Sequence, residues 1–445
     1  MSDARRRNGR TKTGPAAGTD VIVIGAGLAG LTAAVHAVKA GAGVRLIAEG
    51  WGQQIVTPGW ISVCDRADDD VIAEVRGYAA LHPEHPYALA DPDSMLNCIK
   101  AFRTLTDTIG LPYDMRQKDG HNLRLTTMLG AIQTPMLAPR SVANGDLTDL
   151  AGPLLLVGFA GWRDFHPELA AGNLQAQGID ARAIRVELPP ARGAGGHSTR
   201  EATWDMWPGD VARLFDTPDA CAAVARQVKP HVNDAAKIGF PAVLGMDRHA
   251  AVIDELAGQL GRPCFEIPTL PPSTSGTRLS NAIRRWLLRH HVRVQIGHPV
   301  VRGIVEDGRC TGVEVGALGH TNPFYADQII LATGGLYNGG IQSDETGRLW
   351  EPIFDLPVAG PAGEGRSGWT YDRLLVHRGH PVHRHTGLRV NHQMHPLDAD
   401  GAPVLENVYA VGHMLAGFNP LTDGCAEGIA LATAYKAVRV ALKLA

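Results

Sequence analysis

An apolar run closed by a glycine turn near residue 25, a second ending in Gly334-Gly335 and a third ending at Gly412 predict an α/β protein. The predicted architecture is a Rossmann-type dinucleotide-binding domain assembled from both chain ends, with an inserted α/β cap domain between them. The insertion shows as a separate alternation of apolar runs and helical segments through residues 154–267.

Taken in order, Val21–Ile24 is wholly apolar, as a strand buried on both faces of a parallel sheet requires. Residues 30–40 read as a small-residue helix packed close on that strand. Gly41 and Gly43 break it, and Val44–Ala48 is the second strand. Residues 50–115 read as loops and helices, with a turn at Thr57-Pro58-Gly59. In the insertion, Leu154–Phe159, residues 183–188, residues 241–244 and Cys264–Ile267 read as strands, and residues 164–177 and 250–260 as helices. A flexible turn is expected at residues 193–196. A helix at 278–290 leads back to the host domain. Strands follow at Arg293–Ile296 and Val300–Glu306, and Asp307-Gly308 turns the chain into a partner strand at 310–315. Residues 328–333 and 408–411 are buried strands, and a helix from 428 to about 444 closes the chain. The expected division is a tail over 1–18, the dinucleotide-binding domain over 19–115 and 268–445, and the cap or substrate domain over 116–267.

The chain has 445 residues and a formal net charge of -3, which gives no reason to expect a nucleic-acid partner. Arg5, Arg6, Arg7 and Arg10 read as a solvated tail, with a targeting or docking role as the alternative. Cys64, Cys98, Cys221, Cys264, Cys310 and Cys425 are scattered without a CxxC pair, so neither an iron–sulfur cluster nor structural zinc is expected. The same pattern points to a reducing, cytoplasmic setting. No stretch approaches the roughly 18 apolar residues needed to span a bilayer.

Three motifs carry chemistry. In Gly25-Ala26-Gly27-Leu28-Ala29-Gly30, the first glycine allows the tight turn and the second lets backbone approach a pyrophosphate. The third lets helix and strand pack closely. The helix N-terminus then offers free N–H groups to phosphate. The ribose-binding acid that ends the second strand would fall at Ala48. Glu49, one residue late, is either that acid or a surface glutamate. In the second motif, the run ending Ala332-Thr333-Gly334-Gly335 suits a strand returning beside the dinucleotide. The third, Val408-Tyr409-Ala410-Val411-Gly412-His413 with Gly424 and Gly428, resembles the closing motif of fumarate-reductase-like flavoproteins. There an acid follows the glycine and holds the ribityl chain, and here His413 takes that place. The downstream glycines are expected to expose helix amides to the flavin ring.

From Asp20 to the C-terminus the chain resembles the B subunit of the anaerobic glycerol-3-phosphate dehydrogenase. The resemblance is most specific over 156–174, 211–216, 269–279 and 406–428. It implies a flavin subunit that works with a catalytic flavoprotein and an iron–sulfur subunit in a membrane-associated complex. That complex oxidises sn-glycerol 3-phosphate to dihydroxyacetone phosphate and passes electrons toward quinone. The glycine turn is a pyrophosphate device and favours noncovalent FAD; the family's association with FMN and the shifted Glu49 keep FMN as the alternative. The leading expectation is a dehydrogenase acting on CH–OH. A non-catalytic flavin relay or assembly subunit, or an oxidoreductase for another small hydroxy or amino compound, is the alternative.

A phosphate substrate favours arginine, and Arg278 at the start of the 278–290 helix is a candidate; a salt bridge would equally explain it. His385, in a histidine-rich region with His383, His392, His395 and His413, is a candidate base, or an ordinary loop histidine. Thr57 either touches the flavin or caps a turn. No acidic residues are arranged with these histidines, so no metal is expected.

Overall fold

The computed structural model describes residues 19–67, 70–116, 120–188, 204–362, 365–373 and 379–444; the arginines of the tail and the 193–196 turn lie outside them. The central sheet has five parallel strands in the order Arg293–Ile296, Val44–Ala48, Val21–Ile24, Gln328–Leu331 and Val408–Ala410. Strands from the two chain ends lie side by side, which is the split Rossmann-type domain that the glycine turns predict. Ile24 stands opposite both Ile47 and Leu331, so the carboxyl ends are level and their loops open on one edge. The inner strands are buried along their length, as a parallel sheet covered on both faces demands.

Leu28–Lys39 packs against Ala426–Ala441 and Thr274–Arg289, so the last helix of the chain closes on the first. A three-stranded antiparallel meander, Val300–Glu306, Arg309–Ala317 and His320–Tyr325, also joins this core. The Arg45 guanidinium lies 4.1 Å from the centre of the Phe324 ring. The hairpin turn has both central residues left-handed, Asp307 at φ 48° and Gly308 at φ 75°, the geometry that matches strand twist. The third strand of the meander escaped the sequence reading. It is a largely exposed edge with Pro323 in it, and carries no apolar alternation.

The insertion contains a second, all-parallel sheet in the order Cys264–Ile267, Lys237–Pro241, Leu154–Phe159 and Ala181–Val186. It has its own core around Phe159, Trp162, Phe165, Phe215, Phe240 and Phe265. The third of its strands in chain order ends at Pro241, where the sequence suggested a start; residues 242–244 are the apolar loop that follows. The buried residues of that core begin at Leu147, with the partly buried Met128 and Ile132 packed against them. Before Leu147, Leu123, Leu125, Ala138, Val142 and Ala143 gather on Trp60, and Met136 and Leu137 belong to the host core. The described residues of 120–146 are therefore a connecting layer between the two cores.

A buried ion pair locks the two bodies together. Arg278 and Glu266 are 3% and 1% exposed, and they meet through Nη1–Oε2 at 2.7 Å and Nη2–Oε1 at 3.0 Å. Ser141 Oγ and Leu244 N also donate to the carboxylate, and Arg278 Nε donates to Gly245 O. Burial alone would push the Glu266 carboxyl up. The charge and hydrogen bonds of Arg278, with the Leu244 and Ser141 donors, outweigh it and hold the group below its ordinary value.

Candidate functional site

The chain leaves Val21–Ile24 through Gly25, at φ 110°, where a Cβ would overlap Ala332 O. Gly30 sits on the next turn, and a Cβ there would overlap Gly25 O. Gly27 is different: its backbone at φ -70° suits any residue, and a Cβ would meet nothing within 4 Å. It caps Leu28–Lys39 without a side-chain hydrogen bond, and no acidic residue occupies the first turn. The first intrahelical bond runs from Leu31 N to Gly27 O, so the amides before it point outward into open space with the positive end of the helix dipole. Gly52, at φ 77°, presses on this loop; its Cβ would lie 2.7 Å from Gly27 Cα.

A cavity of about 990 Å³ runs along this edge of the sheet. Near the Val44–Ala48 strand it is walled by Glu49, Pro299, Val300 and Val301, then by the glycine turn and Thr333-Gly334. Beyond the strand ends it reaches Trp60, Ile61, Val411, His413 and Glu427. The sheet order gives its length: four inter-strand steps of about 4.8 Å, roughly 19 Å in all. Two buried polar atoms on its wall, Gln54 Oε1 and Thr333 Oγ1, have no partner within the protein. Open space over Gly27, unpaired amides, orphaned acceptors and a cleft crossing the sheet fit a dinucleotide. A mononucleotide would fill only part of that length.

Of the residues singled out from sequence, Gly25, Gly27, Leu28, Ala29, Glu49, Thr57, Thr333, Gly334 and His413 line this cavity. Gly30 lies behind the turn, and Gly412, at φ 77°, packs on Ala29 with its N–H bonded to Thr433 Oγ1 at 3.0 Å. Gly428 does not offer its amide to the cleft, and Gly424 does not line it. Gly428 N donates to Ser62 O at 2.9 Å, Asp65 N donates to Gly424 O at 3.2 Å, and their missing side chains make room for Asp65 and the Tyr87 hydroxyl. The expectation of exposed helix amides is corrected: these glycines seat segment 62–65 against the start of Ala426–Ala441. His413 Nε2 lies 3.3 Å from Ala426 O, and burial lowers its pKa, partly offset by that contact. A neutral imidazole there donates from Nε2 and keeps Nδ1 as an acceptor.

Arg278 is likewise corrected as an anion ligand. The helix starts at Thr274, capped by Ser273, so Arg278 lies in the second turn, and each of its three guanidinium nitrogens donates to Glu266 or Gly245 O. His385 is exposed at the end of Pro381–His385 and lines neither this cavity nor its neighbour. His383, two residues earlier and so roughly 200° around the helix, faces a side cavity of about 40 Å³ with Tyr337, Thr386 and His413. The Tyr337 hydroxyl is hydrogen-bonded to His383. Thr386 Oγ1 is buried there without a partner. His395 bonds Val408 O at 3.2 Å, a structural role. Among the described residues no group of histidine, cysteine and acidic side chains could hold a metal ion.

Among the described residues, none of 116–267 lines the large cavity, although Leu123, Leu125 and Leu137 pack behind its walls at Trp60 and Ile61. No lysine or arginine lines either cavity among the described residues. Glu427, Gln54 and Gly52 were not singled out from sequence. Gly52 could have been suspected from its place just after the second strand, but Gln54 and Glu427 carry no local signal.

Comparison with known proteins decides the family. The FAD binding domain family matches residues 20–429. The B subunit of a probable anaerobic glycerol-3-phosphate dehydrogenase of Halobacterium salinarum is 33% identical over 94% of this chain and 96% of its own length. The chain belongs to the anaerobic glycerol-3-phosphate dehydrogenase B-subunit family. The B subunit of Yersinia pseudotuberculosis is 30% identical over 93% of this chain and 96% of its own. Among solved structures, the 3-ketosteroid delta1-dehydrogenase of Sterolibacterium denitrificans superposes with a TM-score of 0.46 at 13% identity, covering 96% of this chain and 100% of that one. A flavocytochrome c3 fumarate reductase gives 0.42 at 12% identity, covering 97% and 79%. The chain is thus an FAD-binding member of a flavin-dependent oxidoreductase family whose relatives are subunits of a multisubunit flavoprotein. No helix among the described residues is long and apolar enough to cross a membrane.

Proposed function

We propose that this chain is the FAD-bearing electron-relay subunit of a glycerol-3-phosphate dehydrogenase complex, rather than the subunit that oxidises the substrate. The observation that carries this reading is the cleft itself. It is long enough for the whole cofactor, yet among the described residues no arginine or lysine lines it or the side cavity to recognise a phosphate dianion. FAD in such a cleft accepts and returns electron pairs. The chain's own residues bind and orient it. The amides at Gly27 to Ala29 would hold the pyrophosphate, Glu49 would hold the adenosine ribose, and Gln54, Thr333 and His413, which line the same cleft, would supply polar contacts toward the ring. In this reading a catalytic flavoprotein oxidises glycerol 3-phosphate, an iron–sulfur subunit completes the path toward quinone, and the assembly sits peripherally on the cytoplasmic membrane through those partners.

Anaerobic mixing of the purified chain with glycerol 3-phosphate tests this directly. The flavin absorbance should persist, while dithionite bleaches it and an artificial acceptor restores it. Bleaching of the isolated chain by glycerol 3-phosphate would overturn the relay reading. A second reading, direct oxidation of a small uncharged hydroxy compound, is favoured by the side cavity with the Tyr337–His383 pair and the unpartnered Thr386 hydroxyl beside His413. It predicts bleaching by such a compound that is lost in His383→Ala.

A further inference from the structure

Glu427 is the second residue of Ala426–Ala441 and lines the cleft on the stretch shared by Ile61, Val411 and His413. Among the described contacts its carboxyl has one side-chain hydrogen bond, a long one from Ser62 N to Oε2 at 3.4 Å. Burial pushes its pKa up to about 7, with Asp65 adding to the rise against the backbone donors Glu427 and Ser62.

Among the described residues, the groups around it do not supply a compensating cation. On segment 62–65, Asp65 and Cys64 are both raised by burial, as are Tyr87 and Cys425 on the neighbouring elements. His413 is kept toward its neutral form by burial. Asp423 is paired with Arg384 at 2.8 Å, and Arg66 donates to Thr422 O at 2.7 Å. A carboxyl in this setting changes its proton occupancy with any charge that appears beside it.

We propose that Glu427 is the proton-exchanging group of the flavin site: its carboxyl takes a proton from solvent when the ring is reduced and releases it when the ring is reoxidised. The inference rests on the cofactor lying along the cleft with its ring toward His413 and Glu427. It holds whether electrons arrive from a partner protein or a substrate. Two electrons from an external donor enter the ring together with one proton at a ring nitrogen. The negative charge left on the ring raises the proton affinity of Glu427, so an ionised Glu427 takes up a second proton. Between the carboxyl's titration with the ring oxidised and its higher titration with the ring reduced, reduction therefore consumes two electrons and two protons. Below both, the carboxyl is already protonated, and reduction consumes two electrons and one proton. Reoxidation reverses both.

The test is the midpoint potential of the intact FAD-loaded chain, titrated with dithionite against redox dyes from about pH 5.5 to 8.5, a span that includes ordinary and raised carboxyl values. The slope of potential against pH should double as pH rises through the Glu427 titration, and Glu427→Gln should keep the shallower slope throughout. A ring titrating alone does the reverse, because its reduced form loses a proton as pH rises. Reduced-minus-oxidised infrared spectra at high pH should gain a protonated-carboxyl band that Glu427→Gln lacks. A native slope that nowhere steepens as pH rises overturns the proposal, as does a Glu427→Gln protein that steepens like the native one. If the variant loses FAD, the native slope and infrared band still decide. Glycerol 3-phosphate is absent throughout, so failure here is separate from failure of the relay reading.

Discussion

The chain holds two parallel sheets, and they treat the same feature in opposite ways. In the host sheet, Val21–Ile24 runs through a glycine turn into Leu28–Lys39, and the amides at that helix start face an open cleft. In the insertion, Lys237–Pro241 runs through residues 242–248 into His249–Leu260, and Asp216 fills the corresponding place. Its Oδ1 accepts from the backbone N–H groups of Met246, Asp247 and Arg248 at 3.0, 3.1 and 3.0 Å. Strand order in the insertion, with its first and third strands adjacent and the second and fourth outside them, is of the doubly wound type. Such sheets bind ligands at the carboxyl ends of their strands, yet here the protein's own carboxylate occupies the anion position. Backbone amides gather at the strand-to-helix loop in both sheets; in the insertion a carboxylate from elsewhere in the chain fills that place, and in the host sheet it opens on the cleft.

The joint between the sheets gives the largest expected effect. Arg278→Ala leaves the Glu266 carboxylate buried without its partner and should cost about 3–5 kcal/mol in denaturant unfolding. The flavin spectrum and FAD affinity of the folded fraction should not change, because Arg278 does not face the cleft. A variant of native stability that no longer holds FAD would show that the guanidinium belongs to the site after all. The sign of the pH dependence follows from the depressed Glu266 value. The pair's contribution is present above the unfolded-state carboxylate value of about 4.3 and is lost as pH falls through the lower folded value.

Next comes the open end of the host helix. Gly27→Val places a side chain where only ligand would stand, so FAD affinity should fall by at least ~100-fold, about 2.8 kcal/mol. The apo protein should unfold within about 1 kcal/mol of native, as expected for a change without internal clashes. Equilibrium dialysis and urea unfolding separate the two effects. Full flavin content in this variant would remove the pyrophosphate from the glycine turn. The smallest effect belongs to the filled end: Asp216→Ala leaves three amides without their carboxylate and should cost about 1–3 kcal/mol. Sulfate should stabilise that variant more than the native chain, since the vacated helix start again accepts an anion. Equal sulfate effects on the two would argue against the likeness between the two helix starts.

Much of the host fold can be read locally. Val21–Ile24, Val44–Ala48, Arg293–Ile296 and Val300–Glu306 are short apolar or β-branched runs with glycine, charge or turn residues at their ends, and the structure starts and stops them there. The glycine turn is legible because each position answers to a different steric demand. What could not be read is set by partners distant in the chain. Arg278 looks like a free cation until Glu266 is folded beside it. Gly428 looks like an amide donor until Ser62 takes its N–H. His383 and His385 differ only by which face of a short helix meets the cavity. The packing of Leu123 and Leu125 against Trp60 is of the same kind: nothing local in their sequence ties them to the back of a cleft wall. Glu427 is a helix-start glutamate like many others until Ser62 and His413 surround it.

Flavin released from freshly purified protein by acid precipitation tests the central claim most directly. A cofactor lying noncovalently from Glu49 to Glu427 across the split sheet predicts one FAD per chain in the supernatant. Stoichiometric FMN with no FAD would contradict it, turning the glycine turn into a monophosphate site and leaving the Glu49 end of the cleft without an occupant.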